Sequence, residues 1–171
     1  MYKSSFVPVN VPLIDGNEKK YLDECISSGW ISSEGPFVKQ FEAQFATRVK
    51  RKHAVAVSSG TAALDVAVEA LGIGPGDEVI LPSFTIISCI SQIVRSGAKP
   101  VLVDSDPLTW NMDSNQIAEK ITKRTKAIMI VHIFGLPVDM DSIINIATKH
   151  NIKIIEDAAE MHGQSYKNKP C

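Results

Sequence analysis

The feature that most constrains the fold is an alternation between short apolar runs and segments of helical period. The runs read HAVAV, EVIL, PVLV, AIMIV and IKII, at residues 53–57, 78–81, 100–103, 127–131 and 152–155. Continuous apolar runs of this length are typical of strands that are buried on both faces of a sheet. Turn residues or a helical segment follow each run, so the sequence predicts an α/β domain with right-handed crossovers and a mainly parallel sheet sandwiched by helices.

Apolar spacing predicts the helices. The first helix covers Glu18–Ser28 and ends at Gly29, and the second covers roughly residues 37–48. In the second helix, phenylalanines at every fourth position predict an aromatic stripe that packs in the core. Further helices are indicated by three apolar sets: Leu64, Ala67, Val68 and Leu71; Ile117 and Ile121; Met140, Ile143, Ile144 and Ala147.

Composition and charge disfavour several classes of protein. The 171 residues carry 18 basic and 19 acidic side chains, which leaves no positive surplus for a nucleic-acid backbone. No apolar run is long enough for a membrane span, and the first ten residues lack the apolar segment of an export signal. The widely spaced Cys25, Cys89 and Cys171 fit neither a disulfide framework nor a metal site, so we expect reduced thiols, a cytoplasmic location and no bound metal.

The turn after HAVAV is a candidate anion site. Ser58, Ser59, Gly60 and Thr61 precede a helix, which brings hydroxyl groups, unpaired N–H groups and the positive end of a helix dipole together. The alternative is that Ser59 or Thr61 only caps the helix.

Acidic residues follow the IKII run, at the end of a strand where open parallel sheets bind their ligands. Asp157 is the candidate functional carboxylate, because an anion there can hold a ring nitrogen in its protonated form. The alternative for Asp157 is a helix cap. His132, after AIMIV, is either a ligand contact or a structural histidine, and we expect His162 to be packed or hydrogen-bonded. A phosphate-binding turn and a carboxylate on one sheet together suit pyridoxal 5'-phosphate.

Six segments carry a resemblance to a known family. In order along the chain they are GWISSEGPFVKQFE, SSGTAAL, GIGPGDEVILPSFT, KPVLVDSD, VHIFGLPVDM and EDAAEMHG. Together they resemble the DegT-like (DegT/StrS-type) sugar aminotransferases, which are fold-type I enzymes that use pyridoxal phosphate. The resemblance extends from about residue 8 to residue 169, which is nearly the whole chain.

The resemblance implies the cofactor contacts. Residues 59–61 (Ser59, Gly60 and Thr61) would bind the cofactor phosphate, Asp157 would pair with the pyridinium nitrogen, and Glu160 would lie near the ring hydroxyl. Ile86 occupies the position at which the family usually presents an aromatic residue to the cofactor ring. The Schiff-base lysine of the family lies beyond Cys171, so Lys167 and Lys169 are assigned to a solvated turn.

The resemblance also implies the substrate and the assembly. Trp30 and Ser32, in the loop that ends at Pro36, would lie beside a nucleotide sugar, in a homodimer whose active sites are shared across the interface. We expect residues 1–171 to be the N-terminal part of the cofactor-binding large domain, without the small C-terminal domain.

The implied reaction moves an amino group, from glutamate, to a nucleotide-linked keto sugar. Three segments, GWISSEGP, VDSDPLTWNMD and KITKRTKAIMIVHIFG, favour GDP-4-keto-6-deoxymannose as the acceptor and GDP-perosamine as the product, a building block for polysaccharides such as O-antigen. One alternative is a sugar 3-dehydratase of the same fold, in which histidine replaces the Schiff-base lysine. Another is a truncated fragment without activity.

Overall fold

The computed structural model describes residues 6–8 and 11–170. Its central sheet has four strands, β1 (Glu78–Pro82), β2 (Lys99–Val103), β3 (Thr125–Val131) and β4 (Lys153–Asp157). The strands are all parallel and lie in the order β2-β1-β3-β4. In parallel strands the carboxyl ends meet at one edge, so the segments after Pro82, Val103, Val131 and Asp157 lie along the same edge of the sheet.

Six helices connect or precede these strands. They are α1 (Glu18–Ser28), α2 (Pro36–Arg48), α3 (Gly60–Ala70), α4 (Ile87–Arg95), α5 (Ile117–Lys120) and α6 (Met140–His150). Gly29 ends α1 in the left-handed conformation, at φ 74°, as the sequence predicts. Within the described residues, none of these helices has the length and the apolar content that crossing a membrane requires.

Two apolar cores cover the two faces of the sheet. Alternate residues of β1 divide between them, because successive side chains of a strand point to opposite faces. Val79 and Leu81 pack with α3 and α4, whereas Ile80 packs with α5 and α6. The predicted parallel sheet sandwiched by helices is therefore confirmed. Its buried strands are the central β1 and β3, whereas the edge strands β2 and β4 are mostly half-buried or exposed, so the prediction that every run is a buried strand is wrong for these two.

The predicted strand at residues 53–57 is not formed among the described residues. This segment pairs with no strand there, and Val55 is 71% exposed. Its backbone instead contacts α2, where the Ala56 N–H donates to Glu42 Oε1 at 2.8 Å. An apolar run becomes a strand only when a neighbouring strand supplies the ladder hydrogen bonds, so the described sheet has four strands rather than five.

The predicted core packing of α2 is also wrong for the described chain. Ala46 is the only buried residue of α2 there, and Phe41 is 54% exposed. Phe41 and Phe45 stack on each other with ring centroids 5.5 Å apart. The described part of α1 buries no residue. The apolar faces of both helices thus remain largely exposed in this chain.

A short hairpin, which the sequence does not predict, lies near residue 170. Strands β5 (Ser165–Tyr166) and β6 (Lys169–Pro170) pair in an antiparallel manner around Lys167 and Asn168. Both turn residues have positive φ, 48° and 64°, which is typical of a two-residue hairpin turn. The Lys167 ammonium is exposed and forms an ion pair with Asp141, so the predicted solvated turn is confirmed for Lys167, whereas Lys169 is exposed on strand β6.

Candidate functional site

Asp157 is the last residue of β4, at the edge where the strands end. Its Oδ1 accepts a hydrogen bond from the Ala159 N–H at 3.1 Å, and its Oδ2 accepts one from Cys89 Sγ at 3.3 Å. The side chain is half-buried. Because one donor comes from its own loop and the other from α4, the carboxylate is held from two sides.

At the turn before α3, the structure shows the capping interpretation for Ser59, and the anion site stays a prediction. Ser59 caps the helix, since its Oγ accepts from the Ala62 N–H at 3.1 Å. Thr61 does not cap it. Its Oγ1 instead lies 2.9 Å from Ser88 Oγ, in the first turn of α4. The first turns of two helices therefore meet at these two hydroxyl groups.

Gly60 leaves open space at the start of α3. A Cβ atom built on this glycine meets no other atom within 4 Å, and its φ is not in the left-handed region. Neither backbone conformation nor packing thus requires glycine at this position. The first N–H groups of a helix have no acceptor within the helix, so the open space gives an anion direct access to backbone donors.

Asp157 lines two adjoining grooves that bring predicted residues together. The first, of about 210 Å³, is also lined by Ile86 and Glu160. The second, of about 490 Å³, is also lined by Gly60. Gly60, at the start of α3, and Asp157, at the end of β4, therefore line one groove.

Aromatic rings, which the sequence does not predict at this site, line the first groove. Ile86 has no ring, but Phe84 and Phe134 lie on the wall of the same groove with their centroids 6.3 Å apart. Phe134 has a φ of 52°, an uncommon conformation for a bulky residue. No sequence signal marks a left-handed phenylalanine, because this conformation depends on the turn that follows β3.

Glu160 is held by that turn. Its Oε2 accepts from the Phe134 N–H at 2.7 Å. The next residue, Gly135, has a φ of 78°, and a Cβ atom on it would lie 3.0 Å from the Glu160 carbonyl oxygen. Only glycine combines this conformation with such a close approach, so Gly135 sets the distance between the turn and Glu160.

Cys89 is a further residue at the site for which we made no sequence-based prediction of function. It is fully buried on α4, its Sγ donates to Asp157, and it accepts from Thr85 Oγ1 at 3.3 Å. Burial raises the pKa of this thiol to about 12, with the neighbouring Asp157 acting in the same direction. The thiol is therefore neutral and remains a hydrogen-bond donor. A lone cysteine in an apolar helical pattern indicates only packing, so the sequence carries no signal for this contact.

The two candidate histidines differ in their surroundings. His132 is fully buried, with Nε2 3.0 Å from Glu156 Oε1 and Nδ1 accepting from the Val138 N–H. Both ring nitrogens thus have partners, which favours the structural alternative. His162 packs its ring against Phe45. Among residues 6–8 and 11–170, no group of three or more His, Cys, Asp or Glu side chains could hold a metal ion.

The predicted substrate contacts lie apart from these grooves. Trp30 lines a separate groove between α1 and α2, and the Ser32 hydroxyl accepts from the Glu34 N–H at 3.4 Å. Neither residue lines the two grooves that contain Asp157. Their roles stay predictions.

Residues 12–171 match the model of the DegT/DnrJ/EryC1/StrS aminotransferase family. The chain belongs to this family. Two curated relatives are GDP-perosamine synthases, from Caulobacter vibrioides at 50% identity and from Escherichia coli O157:H7 at 47%. These matches cover 95% and 96% of this chain but 44% and 45% of the relatives. The chain thus spans less than half the length of the relatives it matches.

A solved structure of the same fold extends the comparison. The crystal structure of a GDP-4-keto-6-deoxymannose-3-dehydratase with a trapped PLP-glutamate geminal diamine has a TM-score of 0.90 and 32% identity. The match covers 96% of this chain and 44% of the dehydratase chain. This structural relative is named for a different reaction from that of the perosamine synthases.

Proposed function

We propose that the protein is a pyridoxal-phosphate-dependent aminotransferase that acts on a nucleotide-linked keto sugar. Membership of the aminotransferase family supports the class of reaction. The observation that carries the proposal is that Gly60 and Asp157 line the same groove.

The described residues fit this cofactor. The open space at Gly60 and the N–H groups of the first turn of α3 suit a phosphate, with the Thr61 and Ser88 hydroxyls beside them. Asp157 pairs with the ring nitrogen and favours its protonated form. Glu160 would lie near the ring hydroxyl, and Ile86, Phe84 and Phe134, which line the first groove, would form the apolar wall of the ring site.

Each group of the chain has a separate task in this proposal. The α3 turn binds and orients the phosphate, the apolar wall excludes water from the ring, and Asp157 holds a proton on the ring nitrogen. The cofactor, when bound, supplies the electron sink that amino-group transfer requires.

For the substrate, we propose GDP-4-keto-6-deoxymannose, aminated at C4 to GDP-perosamine with glutamate as the donor. Two relatives named GDP-perosamine synthase, at 50% and 47% identity, support this choice. Trp30 and Ser32 remain our candidates for contacts with the nucleotide sugar. The product would serve polysaccharide synthesis, such as that of O-antigen, in the cytoplasm.

We further propose that residues 1–171 form the N-terminal part of a large domain and that the full-length protein, with a small C-terminal domain, is a homodimer. The exposed apolar faces of α1 and α2 support a partner surface, because large exposed apolar patches are uncommon on isolated domains. Light scattering on the full-length protein tests the dimer, and a monomer at micromolar concentration would rule it out.

The test of the function uses the full-length protein with pyridoxal phosphate, glutamate and GDP-4-keto-6-deoxymannose. We expect a product whose mass and NMR spectrum show an amino group at C4. The matched variant Asp157→Ala should abolish transfer and weaken cofactor retention. Retained turnover in Asp157→Ala would refute the role of this carboxylate.

A 3-dehydratase is the second candidate, and the similarity to the dehydratase structure favours it over other reactions. The same incubation separates the two, because a dehydratase removes the C3 hydroxyl and leaves no nitrogen on the sugar. An inactive fragment is the third possibility. The same incubation with the 171-residue chain tests it, and no conversion of the sugar by that chain would favour the fragment.

A further inference from the structure

Cys89 is a buried thiol that the proposed mechanism does not use. It lies on α4 with 0% of its surface exposed, packed in the apolar core between α4 and the sheet. From there its Sγ reaches Asp157 Oδ2 at 3.3 Å, although the two residues are 68 positions apart in the sequence. A group so deeply buried contributes to function only through the side chains that it touches.

The direction of the hydrogen bonds follows from the chemistry of the three groups. The Thr85 hydroxyl donates to Cys89 Sγ, and the thiol hydrogen is then directed to the carboxylate. An ionised carboxylate can only accept, so a neutral thiol is the form that fits. Burial raises the thiol pKa to about 12, so this donor persists over the whole physiological pH range.

Of the two hydrogen bonds that the Asp157 carboxylate accepts, the one from Cys89 connects it to a different element of the fold. Its other oxygen accepts from the Ala159 N–H, in the loop that directly follows β4. The thiol, in contrast, is attached to a helix that packs on the sheet. It is therefore the contact that ties the carboxylate to the rigid core.

We propose that Cys89 is a positioning residue that orients the Asp157 carboxylate toward the ring nitrogen of the cofactor. This inference rests on the proposed function, in which Asp157 pairs with that nitrogen. Cys89 acts through its hydrogen and not as a nucleophile. Replacing it by serine keeps a donor, and replacing it by alanine removes the donor while leaving the helix intact.

The test measures binding to the full-length apoprotein of two ligands that need no lysine. One is pyridoxamine 5'-phosphate, and the other is its 1-deaza analogue, which has carbon in place of the ring nitrogen. The ratio of their dissociation constants reports the interaction at the nitrogen alone, because the phosphate and the ring contacts are shared. A loss of packing around Cys89 would weaken the binding of both ligands and leave the ratio of their dissociation constants unchanged.

We expect the wild-type protein to prefer the ligand with the nitrogen. Cys89→Ala should reduce this preference about 3- to 10-fold, the effect of one lost hydrogen bond, and Cys89→Ser should restore most of it. Cys25→Ala, on the exposed helix α1, is the control and should leave the ratio unchanged. Thermal unfolding of each apoprotein checks that the variants are folded.

Two negative results are distinguishable. If the wild-type protein binds both ligands equally, the proposed pairing of Asp157 with the nitrogen fails. If the wild-type protein discriminates and Cys89→Ala discriminates to the same extent, the pairing stands and the role of Cys89 is wrong. A fall in the ratio that is equal for Cys89→Ala and Cys89→Ser would also overturn the role of the donor.

Discussion

Gly60→Ala separates the proposed phosphate-binding role of the α3 turn from any role in folding. The added methyl group meets no atom of the described chain within 4 Å, and Gly60 has no positive φ. The folded apoprotein should therefore accept it without strain. Since alanine is the better helix former, the free energy of unfolding should stay constant or rise by up to about 1 kcal/mol.

The same methyl group occupies the space through which a phosphate reaches the helix. Hydrogen bonds to charged groups contribute about 1.5–3 kcal/mol each, so losing one backbone donor should weaken phosphate binding about 10- to 150-fold. The variant should thus be at least as stable as the wild-type protein and yet bind cofactor poorly.

The assay compares pyridoxamine 5'-phosphate with pyridoxamine, which lacks the phosphate, on the full-length apoprotein. Gly60→Ala should weaken binding of the first ligand and leave the second unchanged. Urea unfolding of the apoprotein gives the stability. Gly72→Ala is the matched control, because Gly72 also has no atom within 4 Å of a built Cβ but has a φ of 61°.

Gly72→Ala should show the opposite pattern. A left-handed alanine costs about 1–2 kcal/mol of stability. Gly72 lines neither groove and lies after the C-terminal end of α3, so affinity for both ligands should be unchanged. Undiminished affinity of Gly60→Ala for pyridoxamine 5'-phosphate would refute the anion site. A large loss of stability in Gly60→Ala would show that the glycine is needed for folding instead.

Three further predictions concern stability. Asp139→Ala removes the cap of α6, which accepts from the Ser142 N–H, and should cost about 1 kcal/mol by urea unfolding at neutral pH. The pKa of the Asp139 carboxyl is lowered in the folded state, so the free-energy difference between the wild-type protein and Asp139→Ala should shrink as the pH falls below about 4. A difference that stays constant with pH would contradict the cap. In Gly135→Ala, the alanine would have a left-handed φ and its Cβ atom would lie 3.0 Å from the Glu160 carbonyl oxygen. This variant should therefore lose more stability than Gly72→Ala, which has only the left-handed φ. An equal loss in the two variants would show that the close contact costs nothing. Because the pKa of the Cys89 thiol is raised in the folded state, the folded protein keeps a proton that the unfolded chain releases above pH 9. From pH 9 to 11 the free energy of unfolding of the wild-type protein should therefore fall by up to about 1.4 kcal/mol per pH unit relative to Cys89→Ser. Parallel stability curves for the two proteins would show that the thiol does not titrate in this way.

The sequence predicts the parts of the fold that depend on short-range pattern. Helices α1 and α6 follow from apolar spacing, and the four strands follow from their continuous apolar runs. Burial on both faces, which the runs also predict, holds for the central strands β1 and β3 but not for the edge strands β2 and β4. Residues 53–57 show the limit of this reasoning. Their composition suits a strand, but pairing depends on a neighbour that the run itself does not encode.

The candidate site shows the same division. The positions of Asp157 at the end of β4 and of Gly60 at the start of α3 are predictable, because strand ends and helix starts are readable from the sequence. Their roles at the site stay predictions. The thiol of Cys89 and the left-handed Phe134 are not predictable, since each depends on how separate elements pack. Both features are visible only in three dimensions.

The central claim is that one cofactor spans the α3 turn and the end of β4. A crystal structure of the full-length protein with pyridoxal phosphate tests this most directly. The account predicts the phosphate at the N–H groups of Gly60 and Thr61, and the ring nitrogen within hydrogen-bonding distance of Asp157. A phosphate bound elsewhere, or a ring nitrogen that faces away from Asp157, would contradict it.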